Sequence, residues 1–236
     1  MAILQPYPKE KFYIRVNQNE FSPGQFCWLP VPHIDPTPRI LDIKRSSPTE
    51  HDNVSFELRN ANQPDDFRTR DRILPVKRLN LRSNEELLAQ RAKKRPGIII
   101  SPKVDIFSDI ARLLRQKGKK HLQEDCLFII PGYTIETENS LSGFPSEMVT
   151  RIRCLIYRQF FYFPESDRFT EGVARFDRIQ VVVGRDPSAI SPTDICLSNE
   201  VFGLFRAMLI HCITGKEDED LQAAKDICRE NHQKGN

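Results

Sequence analysis

Arg175 and Asp177 stand two positions apart in the run Val173-Ala-Arg-Phe-Asp-Arg-Ile-Gln-Val-Val-Val183. The run is short and rich in β-branched residues, which predicts a strand. Phe176, Ile179, Val181 and Val183 supply the apolar side chains of a strand buried on at least one face. At a period of two, the cation and the carboxylate project from the same face. That pairing suits phosphate-ester chemistry. A carboxylate can take a proton from a nucleophilic hydroxyl, while a guanidinium binds phosphoryl oxygens and offsets the charge that develops. It equally suits a same-face ion pair of small energetic weight.

The elements that must position this pair are read from periodicity and punctuation. Pro23-Gly-Gln-Phe-Cys-Trp-Leu29 is a turn leading into an opening strand that carries the lone tryptophan, Trp28. Residues 39–44 and 54–59 predict a hairpin, the second arm alternating Val54, Phe56 and Leu58 with polar residues. Ser83-Asn-Glu-Glu86 has the form of a capping box and predicts a helix to about Arg91. Ile98 to Ile100, an unbroken apolar run between prolines, predicts a central strand. Arg95 sits at its mouth, where a cation can hold a phosphate or cap the preceding helix.

Lys103 to Lys117 predicts an amphipathic helix with a basic outer face, stopped by Gly118. Cys126-Leu-Phe-Ile-Ile-Pro-Gly-Tyr-Thr134 predicts a buried strand, and residues 148–163 one bent strand or two. Residues 197–213 carry apolar side chains at helical spacing with Gly215 beyond the end, and residues 217–229 predict a further helix.

Composition narrows the classes. The 236 residues, 39% hydrophobic, suffice for a real core. A net charge of +3 does not by itself mark a nucleic-acid binder. Between residues 91 and 121, however, ten Lys or Arg face two Asp, a pattern that reads as a polyanion footprint or as a solvated helix face. The six cysteines show no C-x-x-C spacing, so buried free thiols, no metal site and a reducing compartment, the cytoplasm, are expected. No apolar run approaches the roughly twenty residues of a membrane span, and proline interrupts the N-terminus before a signal peptide's apolar core could form.

Taken in order, several motifs resemble the PemK/MazF-like toxins: the Pro-Gly-Gln-Phe-Cys-Trp-Leu run, Lys94-Arg-Pro-Gly-Ile-Ile-Ile-Ser-Pro102, Leu127-Phe-Ile-Ile-Pro131 with a nearby threonine, Gly143-Phe-Pro145, Val173-Ala-Arg-Phe-Asp-Arg-Ile179 and Asn199-Glu-Val-Phe-Gly-Leu204. The likeness covers residues 21–31, 92–102 and 126–213. It implies an α+β fold, mainly β: an SH3-like small barrel over 21–215 with a large insertion, 33–91, after the first strand. Residues 1–20 would be an extension and 216–236 a polar C-terminal helix or tail.

The resemblance further implies a homodimeric, metal- and cofactor-free endoribonuclease that cleaves single-stranded RNA through 2′-hydroxyl attack and is held by an antitoxin-like protein. By the same resemblance Asp177 would be the base and Arg175 the phosphate stabiliser, with Arg95 and Thr134 holding the phosphate. Lys93, Lys94, Arg178, Lys119 and Lys120 are candidate RNA contacts. Two other functions fit the same residues: a catalytically silent regulatory module on this barrel, and a nucleic-acid binder without chemistry.

Overall fold

Apolar side chains alternate along the strands of this chain, and each face of the resulting sheet receives its own core. The structure, a computed structural model, describes residues 2–45, 47, 49, 53–69, 79–101, 108–119, 126–138, 141–183 and 189–233. In chain order the strands are β1 (Tyr13–Arg15), β2 (Gln25–Pro32), β3 (Arg39–Arg45), β4 (Val54–Asn60), β5 (Ala92–Ser101), β6 (Cys126–Thr134), β7 (Phe160–Phe163), β8 (Gly172–Arg175), β9 (Gln180–Val183) and β10 (Ser191–Leu197). The helices are α1 (Lys9–Phe12), α2 (Ser108–Gln116), α3 (Ser146–Arg153), α4 (Asn199–Thr214) and α5 (Glu219–Gln233). The fold is therefore α+β. Two compact units divide the chain: Met1–Val31 with Lys94–Asn236, and Pro32–Lys93.

The first unit is built on a largely antiparallel sheet in the order β1-β10-β2-β5-β6-β8-β7, with β9 also paired to β6. Among the described residues the path is open, since β1 and β7 end it without pairing to each other. Neighbours in sequence go to opposite faces, as a pleated strand requires. Phe26, Ile98 and Ile130 join the larger core, while Cys27, Leu29, Ile99 and Ile129 join the smaller one.

The larger core is aromatic: Phe26 stacks on Phe169 with centroids 4.3 Å apart, and Phe161 meets Phe205 edge-on at 5.1 Å. Residues near the N-terminus belong to it, for Ile3 and Phe12 are fully buried. Helix α4 lies under this core with Val201, Leu204, Phe205, Met208 and Leu209 buried, each such side chain worth about 1.5–3 kcal/mol of transfer free energy. The Ser198 hydroxyl accepts from Val201 N at its start, and Gly215, at φ +73°, closes it in the left-handed conformation that a side chain resists.

The second unit holds the expected hairpin, β3 against β4, in register from Arg39↔Asn60 to Arg45↔Val54. Arg59 ties it down through Asp42 and through Asp66, whose Oδ1 lies 2.6 Å from Nη2. The helix expected after Ser83 does not form. Leu87 O accepts from Leu41 N and Ala89 N donates to Arg39 O, both at 2.8 Å, so this stretch lies alongside β3 as an extended segment. The Glu that the capping box would turn back is Glu86, but Glu85 makes the local bond, accepting from Arg82 N at 2.8 Å.

Two further expectations change. Residues 148–153, the start of the 148–163 stretch read as strand, belong to α3 because Val149 and Ile152 fall one helical turn apart and share a buried face; only residues 160–163 of that stretch are extended. The expected strand over 173–183 is interrupted by a 3-10 turn at Phe176–Arg178. The amphipathic helix is present as α2, but residues 102–107 of its predicted range, with Val104 and Phe107 of its apolar stripe, lie outside the described residues.

Candidate functional site

The interruption after β8 is what presents the Arg175–Asp177 pair. Strand β6 carries both flanks of the break: Gly132–Thr134 pair with β8 and Cys126–Ile129 pair with β9. Between these ladders, five residues, 175–179, face only Ile130 and Pro131. Pro131 has no N–H to donate, which weakens the ladder at this point. The surplus residues coil into the turn. Phe176 drops into the core against Phe205, with centroids 5.0 Å apart, and Arg175 and Asp177 are left on the surface side. Val181 and Val183, expected to be buried, are more than half exposed.

The pair is bidentate: Arg175 Nε donates to Asp177 Oδ1 at 3.0 Å and Nη2 to Oδ2 at 2.5 Å. Arg178 Nε approaches the same carboxylate at 3.6 Å. Burial raises the Asp177 pKa, but the two guanidiniums outweigh it and hold the carboxyl below its ordinary range.

Arg175 also lines a cleft of about 310 Å³ together with Arg95, Tyr133, Thr134 and the loop Gly143-Phe144-Pro145. Strand register explains the company. Gly97 pairs with Pro131, and continuing that ladder sets Arg95 opposite Tyr133. The Arg95 guanidinium carbon stands 4.3 Å from the Tyr133 ring centroid and that of Arg175 stands 5.2 Å from it, both within cation–π range. Burial lowers the Arg95 pKa, and the neighbouring Arg175 cation adds to this. No carboxylate among the described residues offsets Arg95, whereas Arg175 is neutralised by Asp177. The cleft thus has an uncompensated, partly desolvated cation at its wall, an arrangement that attracts an anion able to accept two parallel hydrogen bonds, such as a carboxylate or a phosphate.

The loop that completes the lining is fixed by backbone beside the end of β6. Phe144 N donates to Thr134 O at 3.0 Å and its carbonyl accepts from Glu136 N at 2.9 Å. Gly143 is required for this approach, since a Cβ there would fall 2.3 Å from the Ile135 carbonyl carbon. The Phe144 ring leans on Phe160 at 5.1 Å.

Of the residues expected to carry function, the structure gathers Arg95, Thr134 and Arg175 on one cleft, with Asp177 joined to it through Arg175 and Arg178 through Asp177. Lys94 is exposed on β5, Lys93 belongs to the second unit and Lys119 is exposed just beyond α2. Lys120 lies outside the described residues. Sequence reasoning missed Tyr133, Phe144 and Met148. The first two stand beside residues that were singled out, but nothing local gives them a role.

Of the six thiols, Cys27, Cys154, Cys196 and Cys228 are buried, and burial pushes Cys196 and Cys228 up to about 11; burial also raises the partly buried Cys212, to which the nearby Asp177 charge adds. Among the described residues no three His, Cys, Asp or Glu side chains converge as metal ligands, and no helix is long and apolar enough to cross a membrane. Comparison with protein-family models, with curated proteins and with solved structures found no match.

Proposed function

We propose that the cleft binds an RNA phosphodiester and that the chain is an endoribonuclease of the PemK/MazF kind. This reading takes the sheet of the first unit as a version of the small SH3-like barrel. The observation that carries it is Arg95: a guanidinium with no counter-charge among the described residues, stacked on Tyr133 within reach of Arg175.

In the proposed reaction the ribose 2′-hydroxyl attacks the adjacent phosphorus and gives its proton to Asp177. The bond to the 5′-oxygen breaks and that oxygen takes a proton from water, leaving a 2′,3′-cyclic phosphate and a 5′-hydroxyl. Arg95 and Arg175 offset the charge on the phosphoryl oxygens, and the Thr134 hydroxyl can donate to one of them. Arg175 is not the proton donor, since its pairing with Asp177 raises still further the pKa of a guanidinium that stays protonated at any working pH. Asp177 becomes a base when the incoming phosphate draws Arg175 away from it.

A second reading, a module that binds the polyanion without cleaving it, is favoured by the closed geometry of the pair. A carboxylate with both oxygens engaged and a lowered pKa is a weak base. Incubation of long single-stranded RNA in EDTA, with end-group analysis of the fragments, separates the two. The nuclease gives cyclic phosphate and 5′-hydroxyl ends, and Asp177→Asn slows cleavage by about 10²- to 10⁴-fold without loss of fold. Binding with no fragments supports the second reading. The nuclease reading also brings with it a homodimer and an antitoxin-like protein partner.

A further inference from the structure

We infer that the cleft seats a single nucleotide, its phosphate against Arg95 and Arg175 and its base against the wall formed by Phe144, Pro145 and Met148. The inference rests on the reading of the ligand as RNA and adds where one base is held. Three observations support it.

The first is polarity. The lining combines the guanidiniums of Arg95 and Arg175 with the apolar side chains of Phe144, Pro145 and Met148, which matches a ligand that is charged in one part and flat and apolar-faced in another. The second is size. At about 310 Å³ the space lies at the lower end of small-molecule pockets, sufficient for one nucleotide unit and not for a run of them. The third is rigidity. Phe144 is held by two backbone hydrogen bonds, by the close approach that Gly143 alone permits, and by the Phe160 ring. A wall set in this way loses little entropy when a base packs on it. Base-on-aromatic contact of this sort is tolerant of base identity and is worth roughly tenfold or more in affinity.

The test compares four probes on the full chain by calorimetric or NMR titration: uridine 3′-monophosphate, adenosine 3′-monophosphate, ribose 5-phosphate and inorganic phosphate. Both nucleotides are expected to bind at least tenfold more tightly than ribose 5-phosphate. Phe144→Leu and, independently, Met148→Ala should shrink that margin while leaving the affinity for inorganic phosphate within twofold. Arg95→Ala should weaken all four probes. A ¹H–¹⁵N spectrum of each variant checks that it is folded.

Equal affinity for nucleotides and ribose 5-phosphate overturns the seat, as does a margin that survives in both folded wall variants, or no binding of any probe. The seat and the nuclease can fail separately. RNA cut by a protein that does not distinguish nucleotide from ribose phosphate removes the seat alone. The expected binding pattern in a protein that leaves long RNA intact keeps the seat and removes the nuclease.

Discussion

Tyr133 brings two like charges, Arg95 and Arg175, to within 5.2 Å of one ring centroid. Two guanidiniums repel, and the negative face of an aromatic ring lowers the cost of keeping them close without cancelling their joint charge. A phosphate entering as proposed would therefore meet Arg95 uncompensated and Arg175 beside it, still paired to Asp177. The loop that completes the lining depends on Gly143. Gly143→Ala should destabilise the protein by about 1–3 kcal/mol, because the methyl group meets fixed backbone rather than a side chain that can turn aside; a urea melt monitored by circular dichroism measures it.

At this scale the sequence is informative only over short range. Arg175 and Asp177 meet as their spacing suggests, but it is the 3-10 turn between them and not a shared strand face that brings them together. Tyr133 takes its role from Arg95, thirty-eight positions earlier, and only the register of β5 on β6 brings the two together.

Elements set how firmly the site is held. Strand β6 serves three neighbours, β5 on one edge and β8 and β9 in succession on the other. Far from the cleft, β1 and β10 are pinned by Asp194, which accepts from Arg168 Nε at 2.8 Å and from Arg15 Nη1 at 2.5 Å. The Arg168 bond first and the Arg15 bond with it outweigh the opposing effect of burial and bring the Asp194 pKa down to about 2. An unfolded aspartate titrates near ~3.9. The stabilisation is thus complete above about pH 4 and is lost as the pH falls through 2. An NMR titration of the Asp194 carboxyl carbon should show its midpoint near 2, and Asp194→Asn should remove part of the stability difference between pH 5 and pH 2.

Which elements could be read in advance follows from what decides each one. The hairpin β3–β4 and helix α4 carry their own periodicity and caps, so local sequence suffices. The stretch after Ser83 has a helix-start signature, yet backbone bonds to β3 claim it. The run from Met148 is β-branched and aromatic in composition, yet Val149 and Ile152 find burial on a helix. In both places a partner distant in sequence decides.

For the whole molecule, the division into two units gives a direct experiment. Strands β2 and β5 are neighbours in the sheet, and the second unit is the excursion between them. Replacing residues 33–92 by a four-residue Gly-Asn-based turn should leave a protein with dispersed amide resonances and one cooperative urea transition. Loss of both would show that the larger unit does not stand by itself. All the cleft residues belong to the larger unit, so the RNA cleavage proposed for the full chain should also be seen with the trimmed protein. A long polar excursion was legible from its turn-rich sequence; its independence as a compact unit was not, because that depends on how many of its contacts remain internal.

The two ladders that β6 holds on one edge have a consequence for engineering. Each flank of the 176–178 turn is anchored on its own, so the loop between the anchors can be lengthened or shortened by a residue without unzipping either side. Such a cassette would move the Asp177 carboxylate nearer to or further from Arg175, which stays anchored on β8 opposite Phe160, giving a graded set of reaches in an otherwise constant frame.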